Sequence, residues 1–428
     1  MFTPDFRTEP YWWEAARPEA GPQDTLPASV DVLIVGAGYT GLHAALQAAR
    51  AGCQTLVVDK EIAGYGASSR NGGQVSTSLK PGFATLARRH GAETARALLR
   101  EGQASLDFIA QFVREEQIAC HFRVGGRFHG AHTPRQYDKL AREAEAAEGV
   151  IKTDAFVVSR ADQRNELGTD VYYGGIVYPH HASLHPGMYH HGLRARVDAA
   201  GAQVVSSCAV TGIDRQHGGF VVQTERGAVR AERVVLATNG YTGGLSPWHQ
   251  RRVIPIGSYM IATEPLPPEI MDRVMPTDRI LSDTRKLVYY YRPSPDRRRI
   301  LFGGRVSLRE TDPRRTGPLL RAELVRLFPE LKDVRISHSW SGFVGYTFDT
   351  MMHCGADDGL YYAMGYCGAG VGMASYLGMR IGQQVSDNPE GAVAFDKIPF
   401  PTRPFYTGNP WFLAPSVMAY RIRDRLGI

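Results

Sequence analysis

Gly36, Gly38 and Gly41 stand at the spacing G-x-G-x-x-G, a pattern whose chemistry is the holding of phosphate groups. Gly36 makes a tight turn, Gly38 lets the backbone approach a phosphate, and Gly41 lets the following helix lie close to the strand. The N–H groups at the start of that helix attract negative charge. Asp59 follows about 20 residues later, where a carboxylate accepts hydrogen bonds from ribose hydroxyls. The spacing predicts a dinucleotide site that repels a 2′-phosphate.

The elements around these glycines are those that such a site requires. Residues 32–35 form a short apolar run that is typical of a strand buried on both faces. Residues 42–50 then predict a helix that ends at Gly52, and residues 55–58 predict a second buried strand. A lone G-x-G-x-x-G is weak evidence, whereas the complete strand, turn, helix, strand and acid together indicate dinucleotide binding.

Two later segments are also rich in glycine. Residues 64–74 carry four glycines among small hydroxyl residues, which makes a poor core but a good backbone cradle for a flat ligand or a pyrophosphate. Residues 360–364 predict a strand, and residues 365–374 turn into a helix that runs to about Val385. A second helix N-terminus can therefore face a ligand. A nicotinamide site has no obvious use for these segments, whereas FAD, which is long and must be buried, does.

Composition excludes several classes of protein. A length of 428 residues suits two interleaved domains of roughly 200 residues each. The net charge of +6 is scattered, and Arg297-Arg298-Arg299 follows a Pro-Ser-Pro-Asp turn, so we expect a solvated hairpin and no nucleic-acid partner. Five cysteines without a C-x-x-C pair argue for a reducing compartment and against disulfides or zinc.

Neither a membrane span nor a metal site is expected. No run reaches the roughly 18 apolar residues that a span needs, and residues 1–21 lack a signal-peptide core, so we predict a cytoplasmic protein. His180, His181 and His185 lie close in sequence without an acid or cysteine at ligand spacing, so we expect no metal.

The order of elements predicts an α/β fold with a Rossmann-like FAD-binding domain interleaved with an α+β substrate domain on an antiparallel sheet. Residues 120–124 and 127–130 alternate like a hairpin, and residues 287–292 are expected to pair with residues 300–305. Tyr11-Trp12-Trp13 is expected to anchor an otherwise irregular arm. The predicted divisions are an N-terminal arm (1–28), the FAD-binding domain (29–82, 155–245 and 340–390), the substrate domain (83–154 and 246–339) and a C-terminal tail packed on the body (391–428).

This series of motifs resembles the superfamily of glycine oxidase and D-amino acid oxidase (DAO), which are FAD-dependent amine oxidoreductases. Within it, the chain is most similar to the gamma-glutamylputrescine oxidase branch. The segments that carry the resemblance are Tyr11-Trp12, residues 36–42, 66–74, 182–186, 237–241 and 302–305, and residues 365–371.

The resemblance implies that the adenine end of FAD lies on the first strand–helix–strand unit. The isoalloxazine would lie between residues 67–74 and the turn at residues 368–372, above the antiparallel sheet, with a helix that starts near Gly372 stabilising negative charge. The cysteine that links flavin covalently in some members aligns near Gly342, so non-covalent FAD is expected. The implied cofactor-binding residues are Gly36, Gly38, Tyr39, Thr40, Gly41, Asp59, Lys60, Gly66, Ala67, Ser68, Ser69, Arg70, Asn71, Gly72, Gly73, Gln74, Val210, Thr238, Gly240, Gly342, Gly368, Ala369, Gly370, Val371 and Gly372.

The implied reaction is hydride transfer to flavin from the carbon bonded to an amine nitrogen, which gives an imine that hydrolyses. Dioxygen or another acceptor would reoxidise the flavin. Sarcosine-type members clamp the substrate carboxylate with an Arg and a Lys, and these positions fall here on Thr77 and Gly372. The lysine that speeds reaction with oxygen falls on Leu301. The missing clamp argues against a small N-methyl amino acid held in that manner, and the missing lysine argues against rapid oxidase turnover.

Charged and aromatic residues on segments that would flank the flavin are the candidates for orienting a small amine substrate. They are Arg70, His121, Tyr259 and Tyr291, with Arg123, His129 and Tyr289 as further candidates. The alternatives are a dehydrogenase of D-amino or cyclic imino acids that does not use oxygen, a nicotinamide dehydrogenase, and a flavin-bearing subunit that serves a partner.

Overall fold

The computed structural model describes residues 1–21, 25–77, 79–308 and 310–427. The strands, in chain order, are β1 (Phe2–Arg7), β2 (Ser29–Val35), β3 (Thr55–Val58), β4 (Gln74–Val75), β5 (Arg127–Gly130), β6 (Phe156–Val158), β7 (Gly175–Tyr178), β8 (Ala182–Ser183), β9 (Gln203–Val205), β10 (Val210–Gln216), β11 (Gly219–Thr224), β12 (Gly227–Leu236), β13 (Ile254–Thr263), β14 (Ile280–Asp283), β15 (Tyr290–Pro293), β16 (Ile300–Gly304), β17 (Ile336–Tyr346), β18 (His353–Asp357) and β19 (Leu360–Met364). The α-helices are α1 (Tyr39–Arg50), α2 (Phe83–His90), α3 (Ala92–Glu115), α4 (Pro134–Glu148), α5 (Pro186–Ala199), α6 (Pro247–Gln250), α7 (Pro268–Val274), α8 (Pro313–Leu327), α9 (Gly370–Gln384) and α10 (Leu413–Leu426).

The first sheet is built around five parallel strands in the order β19-β12-β2-β3-β9. Leu33 and Ile34 of β2 are fully buried because apolar clusters cover both faces of the strand. On one face α1 packs against α9, where an alanine Cβ at Gly378 would lie 2.5 Å from the carbonyl oxygen of Thr40. The predicted Rossmann-like unit is confirmed.

The second sheet has nine strands in the order β1-β17-β13-β16-β15-β14-β5-β7-β6. Its pairs are antiparallel except β1 with β17 and β14 with β5. The expected pairing across the Pro-Ser-Pro-Asp turn is confirmed, since Tyr290 of β15 lies opposite Gly303 of β16. Helix α8 packs behind this sheet, where Tyr259, Tyr291 and Leu324 share an apolar cluster.

The arm is more regular than predicted, because β1 adds a parallel strand to the second sheet beside β17. Its aromatic anchor is confirmed, since Trp12 is fully buried and Trp13 is 9% exposed. The predicted hairpin at 120–130 is wrong. Strand β5 pairs with β7 and β14, whereas Arg123 forms an isolated bridge with Ser183. Alternation identified the strand but could not identify its partner.

Three of the predicted domain limits differ from the structure. Strands β6 and β7, assigned to the FAD-binding domain, belong to the second sheet, and β17 continues that sheet past residue 340. Helices α2 and α3, assigned to the substrate domain, join the core of α1 and α9 through Leu86, Leu98 and Ile109. An apolar stripe predicts that a helix packs but not against which element. The other limits remain predictions.

The tail ends in helix α10, which lies beside the loop before β15. The carboxylate of Asp424 accepts hydrogen bonds from the backbone N–H groups of Lys286, at 2.8 Å, and Leu287, at 3.0 Å. No helix among the described residues is long and apolar enough to cross a membrane.

Candidate active site

A cavity of about 1420 Å³ is lined by residues of both sheets. Its volume exceeds the range of about 300–1,000 Å³ that is usual for a small-molecule site. The first glycine turn, residues 64–74 and the turn before α9 contribute to its wall. Strands β13 and β15 of the second sheet line another part of the wall. The three glycine-rich segments therefore converge on one space.

The first glycine turn leaves no room for side chains. Gly36 has a φ of +106°, and a Cβ there would lie 2.9 Å from the carbonyl oxygen of Ala237. A Cβ at Gly38 would lie 2.9 Å from Ser68 Oγ, and one at Gly41 would lie 1.9 Å from the carbonyl oxygen of Gly36. The backbone can thus approach a ligand at Gly38 while Gly41 brings α1 close to β2.

Asp59 lines the cavity at the end of β3. Its Oδ2 accepts a hydrogen bond from the N–H of Ala37 at 2.8 Å, and Oδ1 accepts one from Glu61 at 2.9 Å. Burial raises the pKa of Asp59, while the two N–H groups act to lower it. A carboxylate has about four acceptor positions, so Asp59 keeps capacity for the ribose hydroxyls that the sequence pattern predicts.

His190 of α5 supports the glycine turn from behind and was not singled out in the sequence. Its Nε2–H donates to the carbonyl oxygen of Ala37 at 2.8 Å. Burial lowers the pKa of His190 to about 4, so the ring is neutral at pH 7. A Cβ at Gly64 would lie 2.6 Å from this ring. Nothing in the spacing of a lone helical histidine indicates that role.

Tryptophan side chains hold the second glycine segment in place. The indole N–H of Trp12 donates to the carbonyl oxygen of Asn71 at 2.8 Å, and that of Trp340 donates to the carbonyl oxygen of Arg70 at 2.8 Å. Both indoles are almost fully buried. The N-terminal arm and β17 therefore fix the backbone of a segment that lines the cavity.

Arg70 lines the cavity, but its guanidinium is already engaged by the protein. It lies over the rings of Tyr65, at 4.3 Å from the centroid, and Trp13, at 4.6 Å. Its Nε donates to the carbonyl oxygen of Tyr65 at 2.6 Å, and one terminal nitrogen reaches Ser341 at 3.3 Å. Burial lowers the pKa of Arg70. These contacts stabilise the loop, and a role in orienting substrate remains a prediction.

Most of the predicted cofactor residues line the cavity. They are Gly36, Gly38, Tyr39, Thr40, Asp59, Lys60, Gly66, Ala67, Ser68, Arg70, Asn71, Gly72, Gln74, Val210, Thr238, Gly342, Gly368, Gly370 and Val371. The predicted residues that do not line it are Gly41, Ser69, Gly73, Gly240, Ala369 and Gly372.

Residues of the second group lie behind the wall. The hydroxyl of Ser69 donates to the carbonyl oxygen of Gly64 at 2.5 Å and accepts from the indole of Trp13 at 2.8 Å. Gly372 was expected at the helix start, but α9 begins at Gly370. Gly372 therefore lies within the first turn of the helix and faces α3, where a Cβ added at Gly372 would be 3.5 Å from the hydroxyl oxygen of Ser105.

Tyr259 and Tyr291 do not line the main cavity, because both side chains belong to the apolar cluster behind the second sheet. Their contact with substrate stays a prediction that this placement does not favour. The hydroxyl of Tyr259 donates to Glu310 at 2.9 Å. The hydroxyl of Tyr291 lies 3.2 Å from that of Tyr172. Successive side chains of a strand point to opposite faces, and the sequence did not reveal which face lies toward the cavity.

The neighbouring residues occupy the cavity face of these strands. Ser258 and Met260 of β13 and Tyr290 of β15 line the cavity. The hydroxyls of Tyr290 and Ser258 lie 2.9 Å apart, and a Cβ at Gly303 would lie 2.4 Å from the Tyr290 ring. Burial raises the pKa of Tyr290 to about 12, so its hydroxyl stays protonated.

His121 and Arg123 do not reach this cavity either. They line a separate cavity of about 210 Å³ together with Asp278 and Arg292. Arg123 forms an ion pair with Asp278. The expected hairpin would have carried these side chains beside β5, and it does not form. Contact of His121 and Arg123 with substrate stays a prediction.

Basic side chains from distant segments meet in another part of the main cavity. Lys80, Arg127, His129 and His181 line it, and only His129 was a sequence candidate. Arg127 Nε donates to Ser282 Oγ at 2.8 Å, and His129 Nδ1 lies 2.8 Å from the same oxygen. Burial holds the pKa of His129 and of His181 well below the usual range, so both rings are neutral at pH 7.

This cavity fits FAD. The glycine turn at Gly38 and the N-terminus of α1 form a cradle for a pyrophosphate. The segment from Gly66 to Gln74 and the turn at Gly368 offer backbone for a flat ring. Within the described ranges, no group of three or more His, Cys, Asp or Glu side chains could hold a metal ion.

Comparison with known proteins agrees with this geometry. Residues 31–384 match the family described as FAD dependent oxidoreductase (DAO). The chain is 32% identical to gamma-glutamylputrescine oxidoreductase of Escherichia coli K12 over 97% of this chain and 98% of that enzyme. Its fold matches glycine oxidase from Geobacillus kaustophilus, with a TM-score of 0.72 and 19% identity over 88% of this chain and 99% of that one. L-proline dehydrogenase from P. horikoshii matches with a TM-score of 0.71 and 16% identity, covering 85% and 94%. This chain therefore belongs to the DAO family of FAD-dependent oxidoreductases.

Proposed function

We propose that this enzyme oxidises a carbon–nitrogen bond of a secondary amine, a polyamine conjugate related to gamma-glutamylputrescine, or an N-alkyl amino acid. The observation that carries the proposal is the 32% identity to the E. coli gamma-glutamylputrescine oxidoreductase, which extends over 97% of this chain. The chain has no Arg or Lys at the expected clamp positions, Thr77 and Gly372, and this disfavours a small N-methyl amino acid within that group.

Bound FAD would supply a two-electron acceptor: the carbon next to nitrogen would lose a hydride and the nitrogen a proton. Water would then hydrolyse the resulting imine to a carbonyl compound and ammonia, or to a carbonyl compound and an amine where the nitrogen carries a second substituent. The protein must orient the C–H bond and hold the amine as the free base. Met260 and Tyr290 form the part of the cavity wall against which we expect the substrate to be oriented. Removal of the amine from bulk water in the cavity lowers its pKa, which favours the neutral form.

The electron acceptor can be dioxygen or another oxidant, and one residue favours a dehydrogenase. The position expected to carry an oxygen-activating lysine is Leu301, which is fully buried in a cluster with Trp12 and Trp340. We also propose that FAD is held without a covalent bond, because the linking cysteine of some family members aligns near Gly342. Denaturation with acid should then release all the flavin into the supernatant.

The test is an anaerobic screen of flavin bleaching with gamma-glutamyl amines, free polyamines, N-alkyl glycines, cyclic imino acids and D-amino acids. We expect bleaching by gamma-glutamyl amines, followed by slow return of colour when oxygen is admitted. Preference for cyclic imino acids or D-amino acids would instead support the alternative dehydrogenase. If chemical reductants bleach the flavin but no amine does, the chain is a flavin-bearing subunit rather than an amine oxidoreductase.

A further inference from the structure

Two cationic side chains from different parts of the fold line the same region of the main cavity. Lys80 lies on the segment before α2, and Arg127 begins β5. The accessible surface of Lys80 opens to the cavity, and its Nζ is 4.0 Å from the Cβ position of Gly368, in the turn expected beside the flavin. Among the residues that the structure describes, none forms a hydrogen bond or an ion pair with the Lys80 ammonium.

The surrounding protein makes these charges unfavourable when nothing anionic is bound. The Lys80 side chain is exposed to the cavity, but the protein that surrounds it there still lowers the pKa of its ammonium by desolvation, and the positive charge of Arg127 lowers it further. Burial also lowers the pKa of Arg127. His129 and His181 are neutral and add no charge. When an anion binds at such a site, its negative charge stabilises the two cations.

Carboxylates of the cavity wall are committed elsewhere. They are Asp59, Glu61, Glu143 and Asp283. Asp283 is fully paired with Arg285, and Glu143 lies 3.7 Å from Lys139 with 48% of its side chain exposed. Asp59 and Glu61 lie at the end of β3, in the nucleotide-binding unit, where Asp59 accepts hydrogen bonds from the backbone N–H groups of Ala37 and Glu61. Lys80 and Arg127 thus keep a net positive field.

The orientation of Arg127 is fixed by its neighbours. Ser282 Oγ accepts from Nε at 2.8 Å and from Nη2 at 2.6 Å. The serine hydroxyl then donates to His129 Nδ1 at 2.8 Å, which leaves the proton of that ring on Nε2. A guanidinium whose position is fixed in this way loses little entropy when it binds an anion.

We propose that Lys80 and Arg127 bind a carboxylate of the substrate, so that the enzyme selects amines that carry an acidic group away from the oxidised nitrogen. This inference rests on the proposed amine oxidation. Thr77, at the aligned clamp position, instead places its hydroxyl 3.1 Å from His181 Nε2. The positive charges are instead those of Lys80, three residues after Thr77, and of Arg127, on strand β5 of the second sheet.

The first experiment measures binding to the holoenzyme without turnover. Glutarate and its neutral analogue glutaramide are titrated while the flavin spectrum and the melting temperature are recorded. The variants are Lys80→Met, Lys80→Arg, Arg127→Gln and Arg127→Lys, with Lys152→Met as a control because the Lys152 side chain is 81% exposed. Loss of a charge-assisted hydrogen bond should weaken glutarate binding by about tenfold to a hundredfold. Lys80→Arg and Arg127→Lys should recover part of the loss, and the control should match the parent.

The second experiment uses a matched pair of amines, N-glutarylputrescine and its terminal carboxamide, in anaerobic flavin reduction. We expect the acid to reduce the flavin of the parent enzyme with an apparent Kd at least about tenfold lower than that of the carboxamide. Lys80→Met and Arg127→Gln should abolish this preference by raising the apparent Kd of the acid while leaving that of the carboxamide unchanged. FAD content is measured for every variant.

Several results would overturn the inference. The first is equal binding of glutarate and glutaramide to the parent. The second is an equal fall in the rate of flavin reduction by both amines in the variants. The third is loss of FAD from the variants while their preference for the acid is unchanged. The last two would assign Lys80 and Arg127 to the cofactor. If neither amine reduces the flavin while glutarate still binds through these residues, the proposed amine oxidation fails and the carboxylate site remains.

Discussion

The indole Nε1–H of Trp12 donates to the carbonyl oxygen of Asn71 at 2.8 Å, across 59 positions of sequence. Trp12 is fully buried in the N-terminal arm, and Asn71 lines the cavity. The arm therefore stabilises the segment expected to face the flavin, and it does so from outside the cavity.

Replacing this donor should loosen the cofactor site. Trp12→Phe keeps an aromatic six-membered ring but removes the indole N–H, so the Asn71 carbonyl loses its donor and the free energy of unfolding should fall by about 1–3 kcal/mol. We expect a lower melting temperature and faster FAD release, measured by thermal unfolding and by flavin fluorescence after dilution. Trp411→Phe is the control, because Trp411 is 65% exposed. A Trp12→Phe enzyme that melts and retains FAD like the parent would contradict the assigned role.

Alanine substitutions at two glycines of the first turn should have different effects, one on folding and the other on FAD binding. Gly41→Ala places a Cβ 1.9 Å from the backbone oxygen of Gly36, so we expect little folded protein. Gly38→Ala meets only the side-chain oxygen of Ser68, so the protein should fold and bind FAD more weakly. Gly149→Ala, with nothing within 4 Å, should behave like the parent. Soluble yield and FAD content measure both effects, and full FAD content in Gly38→Ala would contradict the account.

His190 makes stability depend on pH in a defined direction. Its pKa is about 4 in the folded protein and about 6.5 when unfolded. The unfolded chain therefore binds the proton more readily, and the stabilisation present above about pH 6.5 is lost as pH falls toward about 4. From pH 7 to 5 the parent should lose about 2 kcal/mol more than His190→Gln. Urea unfolding of both proteins at the two pH values measures this, since the other groups titrate in both. Equal losses would contradict the pKa.

Adjacent tyrosines of β15 should separate catalysis from stability. Tyr290→Phe removes a hydroxyl on the cavity face, so it should change the flavin spectrum or the rate of flavin reduction. Tyr291→Phe removes a hydroxyl that contacts Tyr172 behind the sheet, and it should lower the free energy of unfolding by about 1 kcal/mol. Its flavin kinetics should equal those of the parent. The opposite pattern would show that the strand faces have been misassigned.

Local signals in the sequence predicted much of the fold. The strand, turn and helix around Gly36 are encoded within a few tens of residues, and so is the pairing of β15 with β16 across a proline turn. Contacts between distant segments were harder to predict. Alternation places Tyr290 and Tyr291 on opposite faces but does not state which face is buried against α8.

The basic part of the cavity shows the same limit. Lys80, Arg127 and His181 come from three separate segments, and their types do not stand out against other charged residues in the sequence. They meet only because β5 pairs with β7 and β14 in the second sheet, a pairing that the predicted hairpin had excluded.

The measurement that tests the central claim most directly is an anaerobic titration of the FAD-loaded enzyme with gamma-glutamylputrescine, followed through the flavin absorbance. Our account predicts that one amine bleaches one flavin, because each oxidation transfers two electrons, and that an aldehyde appears after imine hydrolysis. A flavin that stays oxidised in excess amine, yet is bleached by dithionite, would contradict it.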